Sequence, residues 1–202
     1  MRPTAYMCLF SSLAIAAIVQ GQSVTVCTEE EGPPRFNERD RYIAEQAELM
    51  ASLMFHRIGV KVQWHRGLGS CPYSPNPPMY VKYDVNEPKD FDAGTLGWAM
   101  PFEGMHVNIY YNRIANAGKV EILAHLLVHE LSHLMQGLAT HADAGIMKAV
   151  WDHYDLHQMQ LLPLQFTNTD VQMIHKGLED RAQRIAAAQS SGGRASLMAI
   201  IH

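Results

Sequence analysis

The sequence contains little cysteine and has no excess of positive charge. Only 3 of its 202 residues are cysteines, and none of them belongs to a CxxC pair. A disulfide-rich scaffold and a cysteine-based metal or redox site are therefore excluded. Lysine and arginine together number 16 against 20 aspartates and glutamates, which gives a formal net charge of -4. This balance removes the attraction to phosphates that drives nucleic-acid binding, so we expect no nucleic-acid partner.

Long apolar runs are also scarce, with one exception at the amino terminus. From Tyr6 to Val19 the chain is apolar apart from two serines, and Arg2 is the only charged residue before Glu29. The run is shorter than the roughly 20 apolar residues that span a bilayer, and it fits the hydrophobic region of a secretory signal peptide. We predict cleavage after Gly21, a secreted or periplasmic location, and no membrane association once residues 1–21 are removed. A buried N-terminal helix is the alternative.

Removal of the signal peptide would take Cys8 with it and leave two cysteines. In an oxidising compartment an even pair is most simply one disulfide, so we predict a bridge between Cys27 and Cys71. The bridge would close a loop of about 44 residues. In the chain-entropy model, closing such a loop contributes roughly 3–4 kcal/mol to the stability of the fold. Two free thiols are the alternative, because no spacing motif supports the pair.

Hydrophobic periodicity divides the rest of the chain into strands followed by helices. Alternating patterns predict strands at Ser23–Cys27, Val60–His65, Tyr80–Val85 and Met105–Tyr111. Helical spacing predicts helices after Asn37, at Val120–Gln136, near Asp155–Leu161, and after a cap at Asn168 or Thr169. The glycine-rich segment Asp90–Met100 is predicted to be irregular, and Ser190–Gly193 to be a linker.

This order of elements predicts an α+β fold. We expect a mixed β-sheet with backing helices as an upper subdomain, then a central helix, then a mostly helical lower subdomain. The length suits one domain, which we place at residues 22–190, with residues 191–202 as a flexible C-terminal tail. Nothing in the sequence assigns an oligomeric state.

The strongest chemical signal lies inside the helix predicted for Val120–Gln136. His129 and His133 are four residues apart, so both imidazoles lie on one helix face and can reach one ion. Neutral imidazoles suit zinc, which lowers the pKa of a bound water. Glu130 is rotated by about 100° from His129, where its carboxylate can take a proton from that water. We interpret His125, one turn before His129, as a packed histidine or an outer hydrogen-bond partner and not as a ligand.

A catalytic zinc site needs a third protein ligand and one open coordination position. His141 is the best candidate, because Gly137 ends the helix and allows the following loop to fold back. The rival ligands in the same region are Asp143, His153 and His157. We expect one zinc ion per chain.

These features resemble the metzincin clan of zinc peptidases. The resemblance rests on HExxH at 129–133, a helix-ending glycine, a third histidine, and the methionine turn at 145–147. The clan's pattern is HExxHxxGxxH, and here the intervals on both sides of the glycine are one residue longer.

The resemblance implies a zinc peptidase that acts on a peptide or protein substrate. In such a peptidase, zinc would be bound by His129, His133 and His141, and Glu130 would be the general base. Met147 would form a hydrophobic floor beneath the metal. By the same resemblance, the strand at Met105–Tyr111 would pair with an extended substrate.

Two other functions remain open at this point. In a gluzincin-type hydrolase the third ligand is a glutamate on a downstream helix, and Glu179 is the plausible donor here. An exported protein of the same fold could instead bind zinc and cleave nothing. The intact Glu130 argues against that second alternative, because a protein without catalysis has no need of a carboxylate there.

Overall fold

The computed structural model describes residues 22–30, 36–74, 76–86, 92, 94–115 and 120–198. For residues 191–198 the description covers the backbone alone. The predicted signal peptide and its cleavage point after Gly21 lie outside the described residues. In the described part of the chain, no helix is both long enough and apolar enough to cross a membrane.

A five-stranded mixed sheet forms one layer of the fold, in the order β2-β1-β3-β5-β4. Its strands are β1 (Gln22–Glu30), β2 (Val60–Arg66), β3 (Met79–Asp84), β4 (Gly97–Ala99) and β5 (His106–Tyr110). All neighbouring pairs are parallel except β4 with β5, which is antiparallel. Alternate side chains such as Val24, Val26 and Val81 enter the hydrophobic core, as the period of two requires. The predicted α+β fold class is confirmed.

Within the described residues, five α-helices accompany the sheet, and capping side chains explain where some of them begin. They are α1 (Glu38–Arg57), α2 (Tyr111–Ala115), α3 (Val120–Gln136), α4 (His153–Leu161) and α5 (Asn168–Met198). Asn37 caps α1 as predicted, since its side chain accepts hydrogen bonds from the backbone N–H groups of Arg39 and Asp40. α5 is capped by Thr167, one residue before the predicted position, through a hydrogen bond from the N–H of Asp170 to its hydroxyl.

The central helix α3 is buried on every side. All residues from Ile122 to Gln136 are buried, and the helix contacts α1, α4, α5, β4 and β5. The sequence predicts a single apolar stripe on this helix, yet neighbours cover its other faces as well. The polar side chains of the HExxH motif are therefore held in the interior of the molecule.

Two predictions about the sheet are wrong. β4 lies inside Asp90–Met100, which was expected to be irregular, because a strand of three residues is too short to give a periodic pattern. β5 was expected to offer an edge to a substrate, but β3 pairs with one side of it and β4 with the other. Among the described residues, β4 is the outermost strand of the sheet on this side.

The carboxyl-terminal helix also differs from its prediction. The backbone of α5 continues as a helix through residues 190–193, where a linker was expected. The boundaries of the domain and the flexibility of the tail at 191–202 stay predictions.

The predicted disulfide between Cys27 and Cys71 is present. The two Cα atoms are 5.7 Å apart, and the bridge joins positions 44 residues apart in the sequence. Cys27 alternates with Val26 and Thr28 along β1, so it points to the sheet face opposite the Val26 side chain. The bridge thereby fixes the loop after β2 to that opposite face.

α5 crosses α3 with the two backbones almost in contact at Gly177. A Cβ atom built at Gly177 would lie 2.1 Å from the carbonyl oxygen of Met135 and 2.9 Å from the Cα of Gln136. These are backbone atoms, which cannot rotate away as a side chain can. Glycine at this position therefore determines how closely the last helix packs under the central one.

We predict that Gly177→Ala destabilises the protein because the two helices must separate. Overpacking of this kind typically costs about 1–3 kcal/mol, and backbone overlap places this site at the upper end. Urea unfolding followed by circular dichroism measures the change. The matched control is Gly69→Ala, where an added Cβ meets no atom within 4 Å. Equal stability of the two variants would contradict this account of the helix crossing.

Candidate metal centre

α3 brings the rings of His129 and His133 together as the four-residue spacing requires. Their ring centroids are 4.8 Å apart, and their Nε2 atoms are 3.1 Å apart. Both residues are almost fully buried, with exposures of 7% and 6%. Two ligands of a tetrahedral zinc are about 3.3 Å apart when each Zn–N bond is near 2.0–2.1 Å. The two Nε2 atoms already have nearly this separation.

The Nδ1 atoms of both histidines are bound to backbone carbonyls. Nδ1 of His129 donates to the carbonyl oxygen of Ile146 at 2.9 Å, and Nδ1 of His133 donates to that of Leu138 at 2.9 Å. Because a carbonyl only accepts, each neutral ring carries its proton on Nδ1. Both Nε2 atoms then present lone pairs to each other, an arrangement that a cation between them would stabilise. Sequence reasoning missed Ile146 and Leu138, since a backbone carbonyl leaves no residue-specific signal.

The loop after α3 carries His141 to the same point. Gly137 ends the helix with a φ of 67°, in the left-handed region where glycine is favoured. The ring centroid of His141 lies 5.2 Å from that of His129 and 4.9 Å from that of His133. Ligand atoms of the three histidines all lie within 4.8 Å of one another. His141 is exposed, so a small rotation of its side chain would close the remaining gap around an ion.

The electrostatics of the cluster suit a metal ligand set. Burial lowers the pKa of His129 to about 4, and it also lowers the pKa of His133. The imidazoles are therefore neutral at ordinary pH, which is the form that binds a metal. Three imidazole nitrogen donors with one side open to a cleft fit a catalytic zinc site.

Glu130 lies beside the three histidines and is also buried. Burial raises the pKa of its carboxyl group to about 8, close to the range in which a general base and acid works best. The backbone of β4 lies against it, because a Cβ at Gly97 would be 3.4 Å from Cγ of Glu130. A cleft of about 450 Å³ opens here and is lined by His129, Glu130 and His141 together with the start of β4.

The methionine turn is joined to the histidine cluster by the hydrogen bond between His129 and the carbonyl of Ile146. Gly145 has a φ of 76°, and the turn is closed by a hydrogen bond from the N–H of Ala142 to the carbonyl of Met147 at 2.8 Å. Met147 is 1% exposed and belongs to the hydrophobic core. Ile146, between these two residues, supplies the carbonyl that holds His129.

The rival ligands lie elsewhere among the described residues. Asp143, His153 and His157 are exposed and do not belong to the three-histidine cluster. Glu179 is exposed on α5 and lines a separate cavity with Gln22 and Met79. The gluzincin alternative needs Glu179 near the histidine pair, and Glu179 is not among the residues that cluster with it.

Trp151 is a neighbour of the cluster that sequence reasoning missed. Its ring lies edge-to-face with His129, with centroids 5.5 Å apart, and with His125, with centroids 6.4 Å apart. The residue follows the methionine turn in an irregular segment, where no periodic pattern marks it. It forms part of the cleft wall beside the metal ligands.

His125 is a packed histidine, as its position on α3 predicted. It is fully buried, its Nδ1 donates to the carbonyl of Glu121 at 2.6 Å, and its Nε2 accepts from the N–H of Leu164 at 2.9 Å. Both ring nitrogens thus have a hydrogen-bond partner when the imidazole is neutral. A second proton on Nε2 would break the link between α3 and the segment before α5.

Comparisons with known proteins identify no family for this chain. No family model matches the sequence, and none of the curated proteins matches it. Among solved structures, the chain is similar to archaemetzincin from Methanopyrus kandleri, with 14% sequence identity and a TM-score of 0.47. That similarity covers 80% of this chain and 99% of the other. A similarity with so low an identity and TM-score carries no argument about function.

We predict that His125 makes the metal-free protein less stable in acid. Burial lowers its pKa in the folded state, so below about pH 6.5 the unfolded chain binds a proton that the folded chain does not. This contribution to the free energy of unfolding is complete above about pH 6.5 and is lost as the pH falls. In His125→Gln the decline between pH 7 and pH 5 should be shallower.

Urea unfolding at several pH values after treatment with a chelator measures this decline. The control is His157→Gln, which changes an exposed histidine and should leave the wild-type slope intact. If His125→Gln and the wild type declined equally, the buried neutral imidazole would not be the origin of the effect.

Proposed function

We propose that this chain is a zinc-dependent peptidase of metzincin type, with one zinc ion held by His129, His133 and His141. The observation that carries the proposal is the pair of Nε2 atoms 3.1 Å apart, each with its proton held on the opposite ring nitrogen by a carbonyl. Two buried lone pairs facing each other are unfavourable without a cation. The third imidazole and the adjacent cleft complete a three-ligand site with an open position.

When bound, zinc polarises the scissile carbonyl group and makes a water molecule more acidic. Glu130 stands beside the ligands and is not one of them, so its carboxylate is available for proton transfer. It takes the proton from the attacking water and delivers it to the nitrogen of the leaving amine as the peptide bond breaks. The buried environment of Glu130 raises the proton affinity of its carboxylate, as this role requires.

Met147 is proposed to act as a rigid floor and not as a ligand. Its buried side chain and the tight turn around it keep the carbonyl of Ile146 under His129. Met147 would therefore affect metal binding indirectly, by fixing the position of the His129 ring.

The substrate is proposed to lie along β4. β4 is the outermost strand of the described sheet on this side, and Gly97 brings its backbone close to Glu130. An extended peptide added to the sheet at this edge would pass directly over the cleft. β4 thus replaces β5 as the strand that recognises the main chain of the substrate.

We propose that the protein works outside the cytoplasm, in a secreted or periplasmic compartment. The disulfide between Cys27 and Cys71 supports an oxidising environment. The apolar run at Tyr6–Val19 is the proposed export signal.

The first test is zinc content. Purified protein should contain one zinc ion per chain by inductively coupled plasma mass spectrometry. The double variant His129→Ala, His133→Ala should contain none, and His141→Ala should lose most of its metal because a two-imidazole site binds weakly. His157→Ala is the matched control and should keep its zinc. Equal metal content in all four proteins would refute the site.

The second test separates catalysis from metal binding. Glu130→Gln should keep its zinc and its fold but lose peptidase activity by about 10²–10⁴-fold, since an amide cannot accept the proton from water. Cleavage of an unfolded protein mixture at matched zinc content measures the loss. Glu121→Gln, the same change at the start of the same helix, should leave activity unaffected.

An undiminished rate in Glu130→Gln would point to a different base. Absence of activity in the zinc-loaded wild type would favour an exported zinc-binding protein without catalysis.

A further inference from the structure

Trp151 lies against two histidines of α3 that are one helical turn apart. Its ring is edge-to-face with that of His129, at an interplanar angle of 84° and a centroid distance of 5.5 Å. The same ring is edge-to-face with that of His125, at 81° and 6.4 Å. Edge-to-face pairs with centroids about 4.5–7 Å apart are favoured between aromatic rings. A single indole therefore joins a candidate metal ligand to a histidine that is not one.

His125 gives this contact a rigid support. It is fully buried, and both of its ring nitrogens are hydrogen-bonded, Nδ1 to the carbonyl of Glu121 and Nε2 to the N–H of Leu164. The ring cannot turn without losing one of these bonds, and a buried polar atom left unpaired costs free energy. Trp151 is therefore supported by one fixed ring while it contacts the ring of His129.

The backbone on either side of Trp151 is also held. Lys148 donates to Asp152 at 2.7 Å and to Asp155 at 2.6 Å, so its ion pairs span the tryptophan. Asp152 in turn caps α4 by accepting from the N–H groups of Tyr154 and Asp155. The position of the indole is thus set by a closed turn that leads into a capped helix.

The indole N–H takes no part in polar contacts. Nε1 of Trp151 is buried and has no hydrogen-bond partner among the described residues, so it neither donates to a group in the cleft nor holds the ring in place. The ring is partly buried and packs against the hydrophobic core. Trp151 therefore acts on its neighbours through the contacts of its ring alone.

A hydrogen bond by itself does not fix the orientation of the His129 ring. The carbonyl of Ile146 accepts from Nδ1 and so directs Nε2 inward, but the ring can still tilt about that bond. Within the described part of the chain, the aromatic neighbours of His133 are the two other histidines of the cluster, whereas His129 also contacts Trp151. Groups that orient a ligand ring typically contribute about 10–100-fold to metal affinity.

We propose that Trp151 is a positioning residue for the candidate metal centre. Its ring, supported by His125, limits the tilt of His129 and keeps Nε2 directed at the position of the zinc ion. Trp151 acts through His129 and is not itself a ligand. The proposal rests on the zinc site of the proposed function, but it does not require that the protein cleaves peptides.

The test measures the zinc affinity of the full chain by competition with a chromophoric chelator. Trp151→Phe keeps an aromatic ring that can lie edge-to-face with His129, and it should bind zinc nearly as tightly as the wild type. Trp151→Leu keeps an apolar side chain without a ring, and it should bind zinc about 10–100-fold more weakly. An unchanged affinity in both variants, or an equal loss in both, would overturn the proposal.

Trp64→Leu is the matched control. Trp64 on β2 is also partly buried, its Nε1 donates to Oγ of Ser52 at 2.8 Å, and it does not line the cleft. This variant should lose stability but keep the zinc affinity of the wild type. If it lost as much zinc affinity as Trp151→Leu, a general loosening of the fold would explain both results and the proposal would fail.

A spectroscopic measurement separates the orientation of the ligand from simple packing. Cobalt(II) bound in place of zinc has a visible absorption spectrum that depends on its coordination geometry. Trp151→Leu should alter this spectrum, whereas Trp151→Phe and Trp64→Leu should retain that of the wild type. The wild-type spectrum in Trp151→Leu would contradict a role in orienting His129. If Trp151→Leu does not fold, Trp151→Met, whose flexible side chain fills irregular gaps, replaces it in both measurements.

The outcomes keep this proposal distinct from the peptidase function. Weaker zinc binding in Trp151→Leu would support the positioning role even if the wild type cleaved no peptide. An active, zinc-loaded wild type with the same zinc affinity as Trp151→Leu would refute the positioning role and leave the peptidase function intact. A wild type that bound no zinc would refute both, and measurement of the wild type alone shows this.

Discussion

The hydrogen bonds from His129 and His133 to two backbone carbonyls are the constraint on which the candidate metal centre depends. Without them, each imidazole could carry its proton on either nitrogen, and the pair could settle as an ordinary histidine–histidine hydrogen bond. The carbonyls of Ile146 and Leu138 hold the protons on the outer nitrogens and leave two lone pairs at 3.1 Å. Those carbonyls are positioned in turn by the glycine turns at Gly137 and Gly145. The chemistry of α3 is therefore set by the loops that follow it.

These two hydrogen bonds matter because α3 is buried. A helix with three histidines and a glutamate in the interior is unfavourable unless each polar group is paired or used. His125 is paired at both nitrogens, whereas the inner nitrogens of His129 and His133 face each other across the candidate site. Two glycines allow the surrounding backbone to approach, Gly97 on β4 and Gly177 on α5. Close packing at these two glycines thus contributes to the burial of the helix.

The two ends of this arrangement have different chemistry. The cleft is lined by imidazoles, a carboxyl group and the start of the outermost described strand, the groups on which the proposed peptidase function rests. A second cavity of about 580 Å³ at the end of α3 is lined by Arg181, Arg184, Asp180 and Glu103. Leu138 belongs to both regions, because its carbonyl holds His133 while the residue also lines the second cavity.

Interactions between residues close together in the chain made part of this structure predictable from the sequence. The four-residue spacing of His129 and His133, the cap at Asn37 and the long alternating strands depend on neighbours in the chain, and each was predicted. Tertiary packing decided the rest, because the partners are distant in sequence or carry no residue-specific mark. The strand at Gly97–Ala99 exists only because β5 pairs with it, and the carbonyls of Ile146 and Leu138 are chemically identical to every other carbonyl. Gln136 and Arg184 line one cavity because Gly177 allows α5 to cross α3 at backbone contact.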